Sequence, residues 1–233
     1  MKKIVIVALI VCTGLTAQAQ ISNYLAPGKS GLGIQAIGEL SSRFNGFGGG
    51  IGGTYKGKID VNLLYTSDNY NKEGSELVTD KAHGNYLEGK VTWWLFRNQV
   101  TPGIEARFGV LAGFESAFYK DFKYLNPTSR KIIDYTKYMG GMAGLQAVVG
   151  FNLSEKWILQ PSFMAYLDIG NDFESEEGIE SPVGYTGVIS NFCVSLIRRV
   201  GEGNAFVISA NNFFQTYDST LFYNLTAGYI FSF

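Results

Sequence analysis

Apolar and polar residues alternate along most of this chain. From Gly103 onward, Ile104, Ala106, Phe108, Val110, Ala112 and Phe114 fall on one side, and Glu105, Arg107, Gly109, Leu111, Gly113 and Glu115 on the other, so all three charges share a face. Successive side chains of a β-strand point to opposite faces, and this period of two predicts a strand with one apolar face. Four further segments obey the rule. Leu87, Gly89, Val91, Trp93 and Leu95 oppose Tyr86, Glu88, Lys90, Thr92 and Trp94. Ala143, Leu145, Ala147, Val149, Phe151 and Leu153 oppose Met142, Gly144, Gln146, Val148, Gly150 and Asn152. Trp157, Leu159, Pro161, Phe163, Ala165 and Leu167 alternate with Ile158, Gln160, Ser162, Met164, Tyr166 and Asp168, and residues 221–233 repeat the pattern to the last Phe. Weaker strands are expected at 31–40, 46–56, 58–67, 183–198 and 204–214, ten in all, with the facing of 183–198 blurred. No segment carries a helical period.

The connections between these strands alternate in length. Those at 41–45, 68–83, 120–131, 169–182 and 215–219 include three long ones, whereas 56–58, 96–102, 154–156 and 199–203 are all short. An up-and-down barrel with one elaborated rim produces this alternation. Period two is common to water-soluble and membrane barrels, so other features must decide. Strands of about 10–13 residues match the length needed to cross a bilayer at a tilt. Trp93, Phe151, Trp157, Phe206, Phe231 and Phe233 gather near the short turns, and Tyr65, Phe114, Phe118 and Tyr223 toward the long connections, as two interfacial girdles would. The expected fold is all-β: a transmembrane up-and-down antiparallel β-barrel of about ten strands, with eight the alternative.

Composition sharpens this. The 233 residues are 46% hydrophobic, yet after residue 20 no run of apolar residues, glycine included, exceeds eight, which excludes a spanning helix. A formal charge of −1 without a basic cluster excludes a nucleic-acid partner. The start of the chain is a separate object: Lys2 and Lys3, an apolar stretch from Ile4 to Leu15, then Ala17-Gln18-Ala19, the order of a secretory signal peptide. Removal of residues 1–19 leaves 20–233 as a single barrel domain and Cys193 as its one cysteine, so an exported chain is expected to hold together without an intramolecular disulfide.

Candidate chemistry is sparse. His83 is the only histidine, with Asp68 and Asp80 near it in sequence, a pairing that could activate water at a barrel rim. It lacks the close Asp and Ser spacings of rim hydrolases, and no catalytic residue or cofactor is expected. Asp168, Asp172, Glu174, Glu176, Glu177 and Glu180 offer oxygen ligands but not the ordered spacing of a calcium loop, so no metal site is expected either. The preceding connection is basic (Lys120, Lys123, Arg130, Lys131, Lys137), and the two are expected to pair by charge. Glu88, Lys90, Glu105, Arg107 and Glu115 must project into the lumen, since a basic residue on the lipid face costs about 2–4 kcal/mol at the midplane. There they form either a satisfied polar core or a selective path. Gly48, Gly50 and Gly52 face the same lumen and either leave room for Tyr86, Trp94, Met164 or Tyr166 from across it or line a narrow passage.

The final segment, Tyr223-Asn-Leu-Thr-Ala-Gly-Tyr-Ile-Phe-Ser-Phe233, resembles the last strand of outer-membrane barrels. The signal ending in Ala-Gln, the Gly-rich strand Gly46–Tyr55 and the turn Asn152-Leu-Ser-Glu-Lys-Trp157 are similar to the small outer-membrane β-barrel domain family common in Bacteroidota, which includes PorT-like proteins. The likeness spans nearly the whole mature chain and is architectural. It implies the outer membrane of a Gram-negative bacterium, with Tyr229, Phe231 and Phe233 read by the barrel-insertion machinery. The expected surroundings are outer-membrane lipid and lipopolysaccharide, with an envelope or secretion protein as partner. The expected role is non-enzymatic: structural, contact-making or accessory to envelope assembly or secretion. A narrow passive channel for ions or small solutes is the alternative, and a rim hydrolase the third.

Overall fold

The computed structural model describes residues 30–40, 44–71, 81–125, 132–176, 179–200, 204–215 and 222–232. The expected signal peptide, Asp80, Arg130, Lys131, Glu177 and Phe233 lie outside them. The described residues form ten strands: β1 (Gly31–Leu40), β2 (Phe44–Tyr55), β3 (Ile59–Asn71), β4 (Lys81–Thr101), β5 (Ile104–Leu125), β6 (Ile132–Asn152), β7 (Trp157–Glu176), β8 (Ile179–Val200), β9 (Asn204–Gln215) and β10 (Phe222–Ser232). Each pairs antiparallel with its sequence neighbours, and β1 pairs with β10 from Gly31↔Ser232 to Leu40↔Tyr223, closing the barrel.

Register fixes the barrel's dimensions. Paired residues followed once around from Phe96 return to β4 at His83, thirteen positions away, one of which is the bulge residue Leu95. The shear is therefore twelve for ten strands, which tilts the strands by roughly 40° and raises the chain about 2.5 Å per residue along the barrel axis.

The alternation read from the sequence sorts the two faces. Outward residues are apolar and bare: Leu32 is 60% exposed, Phe47 70%, Ile51 60% and Ile208 54%. Inward residues are buried, and many are polar, among them Gln35, Asn62, Lys90, Gln146, Gln160, Asn191 and Ser209. From Ile104 to Phe114 on β5 and from Trp157 to Leu167 on β7, the outward face holds no charge. A soluble barrel turns polar side chains outward, whereas this one turns apolar side chains outward over the belt, so its outer wall is built for hydrocarbon. The blur in β8 resolves the same way, with Val188, Phe192 and Leu196 outward and Ile189, Asn191, Cys193 and Ser195 buried.

Three expectations need correction. First, 120–125, 169–176 and 179–182 are strand, not connection: β5 continues to Leu125, β7 runs to Glu176 and β8 starts at Ile179. Strands β4 to β8 have 20–22 residues against 10–13 for the other five; β4 ends level with β3 at Lys81↔Asn71 and has its excess below, whereas β5 to β8 extend upward, so one wall of the barrel stands high. The hydrophobic period fades there because a strand above the lipid needs no apolar outer face. Second, β4 also runs on to Thr101 through 96–100, so Trp93 stands eight residues above its end, inside the apolar belt and not in the lower girdle. Trp157, Phe206, Tyr229 and Phe231 hold that level instead, with Phe206, Tyr229 and Phe231 stacked edge to face at 4.7 and 4.6 Å. Tyr65, Phe114 and Phe118 face outward at the upper one.

Third, the β2 glycines are not filled from across the lumen. Gly46, Gly48, Gly50 and Gly52 pair with Asp68, Thr66, Leu64 and Asn62, whose side chains lie over them. A Cβ on Gly48 would run into the Tyr65 carbonyl and Thr66, whereas one on Gly38, facing outward from β1, would have open space. Gly48→Val is therefore expected to destabilise the barrel by about 1–3 kcal/mol in urea unfolding from detergent or vesicles, with Gly38→Val close to wild type.

Candidate functional site in the barrel lumen

The lumen is built in layers, and its charges recur at each level. Nearest the short turns, the bulge at Leu95 switches the parity of β4, so Arg97 turns inward beside its register partner Arg107. Two guanidinium groups side by side require an anion, and Glu105 supplies it: Arg97 Nε donates to Glu105 Oε1 at 2.9 Å and Arg107 Nε donates to the same oxygen. Arg97 also donates to the Gly57 carbonyl at 3.0 Å, tying the group to the β2–β3 turn. Just above, the buried Asp60 carboxylate accepts from Thr54 Oγ1 and, at 2.7 Å, from Trp94 Nε1.

At mid-height, Lys90 reaches across the barrel. Its Nζ lies 3.8 Å from Glu88 and 3.7 Å from the Met164 sulfur of β7. Met164 belongs to an apolar cluster with Leu111, Met142, Tyr166 and Ile189, drawn from β5, β6, β7 and β8. Immediately above, Glu88 and Glu115 are register partners on β4 and β5, and Tyr86 and Tyr166 hydrogen-bond to Glu115. Tyr138 donates to Asp168 at 2.6 Å. A second apolar cluster, Ile158, Ile197, Ala205, Val207 and Ile230, fills the β7 to β10 side near the short turns.

The structure thus brings all five expected charges to the lumen in two groups: Glu105 and Arg107 below, Glu88, Lys90 and Glu115 above. The sequence reading placed Tyr86 and Tyr166 in the lumen but missed Arg97, Asp60, Asp168 and Tyr138 as lumen residues. Asp60 and Asp168 sit at inward positions of the alternation and were legible in principle. Arg97 was not, because a bulge reverses the parity that would predict its direction.

On the β5 side Arg107 Nη1 and Glu115 Oε1 are buried without a hydrogen-bond partner among the described residues, and the β1, β3, β8 and β10 side carries more such atoms. Gln35 Oε1, Thr66 Oγ1, Asn191 Nδ2 and Thr226 Oγ1 are buried with no hydrogen-bond partner among the described residues. Buried polar atoms left unpaired are costly, so this side suits water.

The rim groups do not converge. His83 is on the exposed side of β4, while Asp68 is buried on the lumen side of β3, so the wall separates them. The acidic run is dispersed as well: Asp168 is in the lumen, while Glu180 is exposed and takes a hydrogen bond from Thr136 at 2.7 Å and an ion pair from Lys137 at 3.5 Å. Among the described residues no group of three or more His, Cys, Asp or Glu could hold a metal ion. The charge pairing expected between the basic and acidic stretches takes the form of this Lys137–Glu180 contact, and Lys123–Asp134 at 3.6 Å links β5 to β6.

A closed barrel with an apolar exterior and a charged, paired interior defines an integral membrane β-barrel. No family model and no curated protein sequence matches this chain. Among solved structures it is similar to the β domain of the Bordetella autotransporter BrkA, at 14% identity over 88% of this chain and 100% of that one, with a TM-score of 0.48. It is also similar to a major outer membrane protein from Thermus thermophilus (15%, 88% and 99%, TM-score 0.29) and to the outer membrane protein opdK from Pseudomonas aeruginosa (10%, 88% and 99%, TM-score 0.18).

One titration lies above the membrane. Asp172 stands fifteen residues above Trp157 on β7, roughly 37 Å up and beyond the apolar belt of about 25 Å. Partial burial, and then the nearby Glu174 charge, raise its carboxyl to about 6, although Tyr135 hydrogen-bonds to it at 3.5 Å. Because the folded state holds this proton more tightly than the unfolded chain does, its stabilising contribution is full below the ordinary Asp value near 4. It is lost as pH rises through 6. Amide protection factors in the upper parts of β6 and β7 are expected to fall between pH 5 and 7.5, and to become independent of pH over that range in Asp172→Asn.

Proposed function

We propose that this chain is a non-enzymatic integral protein of the Gram-negative outer membrane whose barrel is a closed post, and whose high β5 to β8 wall makes contacts in envelope assembly or secretion. The observation that carries this reading is the mid-lumen packing, in which Lys90, Met164, Tyr166, Leu111 and Met142 meet from β4 to β7. Interiors of barrels this narrow are filled by side chains, and a filled interior serves as a scaffold and not as a pore. The apolar outer belt favours a lipid environment, and the signal-like start of the chain favours export. Tyr229 and Phe231 pair with Ile34 and Leu32 at the β1–β10 seam, a position that supports their reading by insertion machinery. The resemblance to the small barrels of Bacteroidota, including PorT-like proteins, fits the same picture.

A second reading, a narrow passive path, draws on the unpaired polar atoms along β1, β3, β8 and β10. Such a path would prefer cations: Glu39, Asp60, Asp68, Glu88, Glu105, Glu115 and Asp168 face Lys90, Arg97 and Arg107.

Planar-bilayer recordings separate the two. The wild type is expected to give no discrete conductance steps. Lys90→Ala combined with Met164→Ala is expected to give them while retaining heat-modifiable gel migration, the sign of a folded barrel. Cation-selective steps from the wild type, abolished by changing Glu88 or Glu115 to Gln, would replace the closed post with the channel.

A further inference from the structure

The outer wall of β6, β7 and β8 carries a groove of about 620 Å³ lined by Met139, Gly141, Ile169, Asn171, Gly184 and Thr186. Register sets its height. Phe114 of the upper aromatic girdle pairs with Gly141, Gly141 with Ile169 and Ile169 with Thr186, a row that climbs roughly 3 Å per strand at this tilt, so the floor of the groove begins just above the girdle. The next row up is Met139, Asn171 and Gly184, and the row above that is Lys137, Phe173 and Pro182.

The groove is shallow and open, and it exists because two side chains are missing. A Cβ on Gly141 would find only the Gly113 carbonyl at 3.8 Å, and one on Gly184 only Asn171 Oδ1 at 3.6 Å, so both would project into free space. The lining is graded. Met139 and Ile169 are bare and apolar, at 52% and 54% exposure, Asn171 and Thr186 add an amide and a hydroxyl, and Lys137 stands above as a cation. Its Nζ sits 4.2 Å from the centre of the Phe173 ring and 3.5 Å from Glu180, which together hold the ammonium at the head of the groove. An ammonium has three donors, so one carboxylate does not exhaust it.

We propose that this groove seats one phosphorylated lipid of the outer leaflet, with its first acyl methylenes against Met139 and Ile169, its ester or sugar oxygens at Asn171 and Thr186, and a phosphate at Lys137. The vertical order of the lining, apolar then hydrogen-bonding then cationic, matches the order of groups along such a lipid from chain to headgroup. The site faces away from the lumen, in the headgroup layer just above the apolar belt. This inference rests on the outer-membrane reading, with the long connections outward.

The test is native mass spectrometry of the mature barrel refolded in dodecyl maltoside, titrated with diphosphorylated lipid A or with the same lipid after dephosphorylation. The wild type is expected to retain one lipid A and to prefer it over the dephosphorylated form. Gly141→Val and Gly184→Val fill the groove and should each cut retention about fivefold. Gly38→Val, on the lipid face of β1, should not, and Lys137→Gln should erase the preference for phosphate. Unchanged retention in the two groove variants, an equal loss in Gly38→Val, or an intact phosphate preference in Lys137→Gln would overturn the site. Loss of heat-modifiable migration by the wild type would overturn the membrane-barrel reading instead, so the two failures are distinguishable.

Discussion

Hydrocarbon offers no hydrogen bonds, and from that constraint the rest of this molecule follows. Every backbone N–H and C=O within the bilayer must find a partner in the protein, which open sheets cannot provide at their edges. The pairing of β1 with β10 removes the edge. Closure at a shear of twelve fixes tilt and radius together, and the radius determines how much interior the side chains must fill. The sequence meets that demand with unequal partners. Where β3 sends Asp68, Thr66, Leu64 and Asn62 inward, β2 presents glycine, and where β4 and β7 send Trp94 and Tyr166, β5 and β6 present Gly109 and Gly144.

The same constraint accounts for the charges. A carboxylate or guanidinium that cannot face lipid must enter a narrow lumen, and once there it must be matched. Glu105 is shared by Arg97 and Arg107, Glu88 is set against Lys90, and Glu115 is held by two tyrosine hydroxyls. Such groups add less net stability than their number suggests, because desolvation offsets much of the attraction. Their contribution is to fix which side chain lies where, and the Lys90 to Met164 contact ties β4 to β7 across three strand interfaces.

Most of the fold could be read from alternation because lipid enforces it. In the belt a strand has one face in hydrocarbon and one in the lumen, and residues such as Phe108 and Arg107 declare which is which. Legibility ended where that pressure ended. Above the girdle Lys120, Lys123, Asp172 and Glu174 occupy strands that no longer separate oil from water, so their sequence looks like loop. It also failed at single-residue irregularities: the bulge at Leu95 hid Arg97 and misplaced Trp93 relative to the strand end. Of the lumen, the five charges were visible. Their division into two groups was not, since it depends on which residues of non-adjacent strands meet.

The unequal height of the wall gives the barrel a direction in the membrane plane. A barrel of even height looks alike from every side, and a neighbour diffusing past it meets the same rim at any rotation. Here β5 to β8 rise well beyond the strands on the opposite side, so the molecule has a tall flank and a low one. Anything resting on the low flank leans against the inner surface of the tall one, while anything docking behind it meets only the outer surface. Rotation about the membrane normal becomes a variable in assembly, much as orientation matters for a bracket but not for a peg.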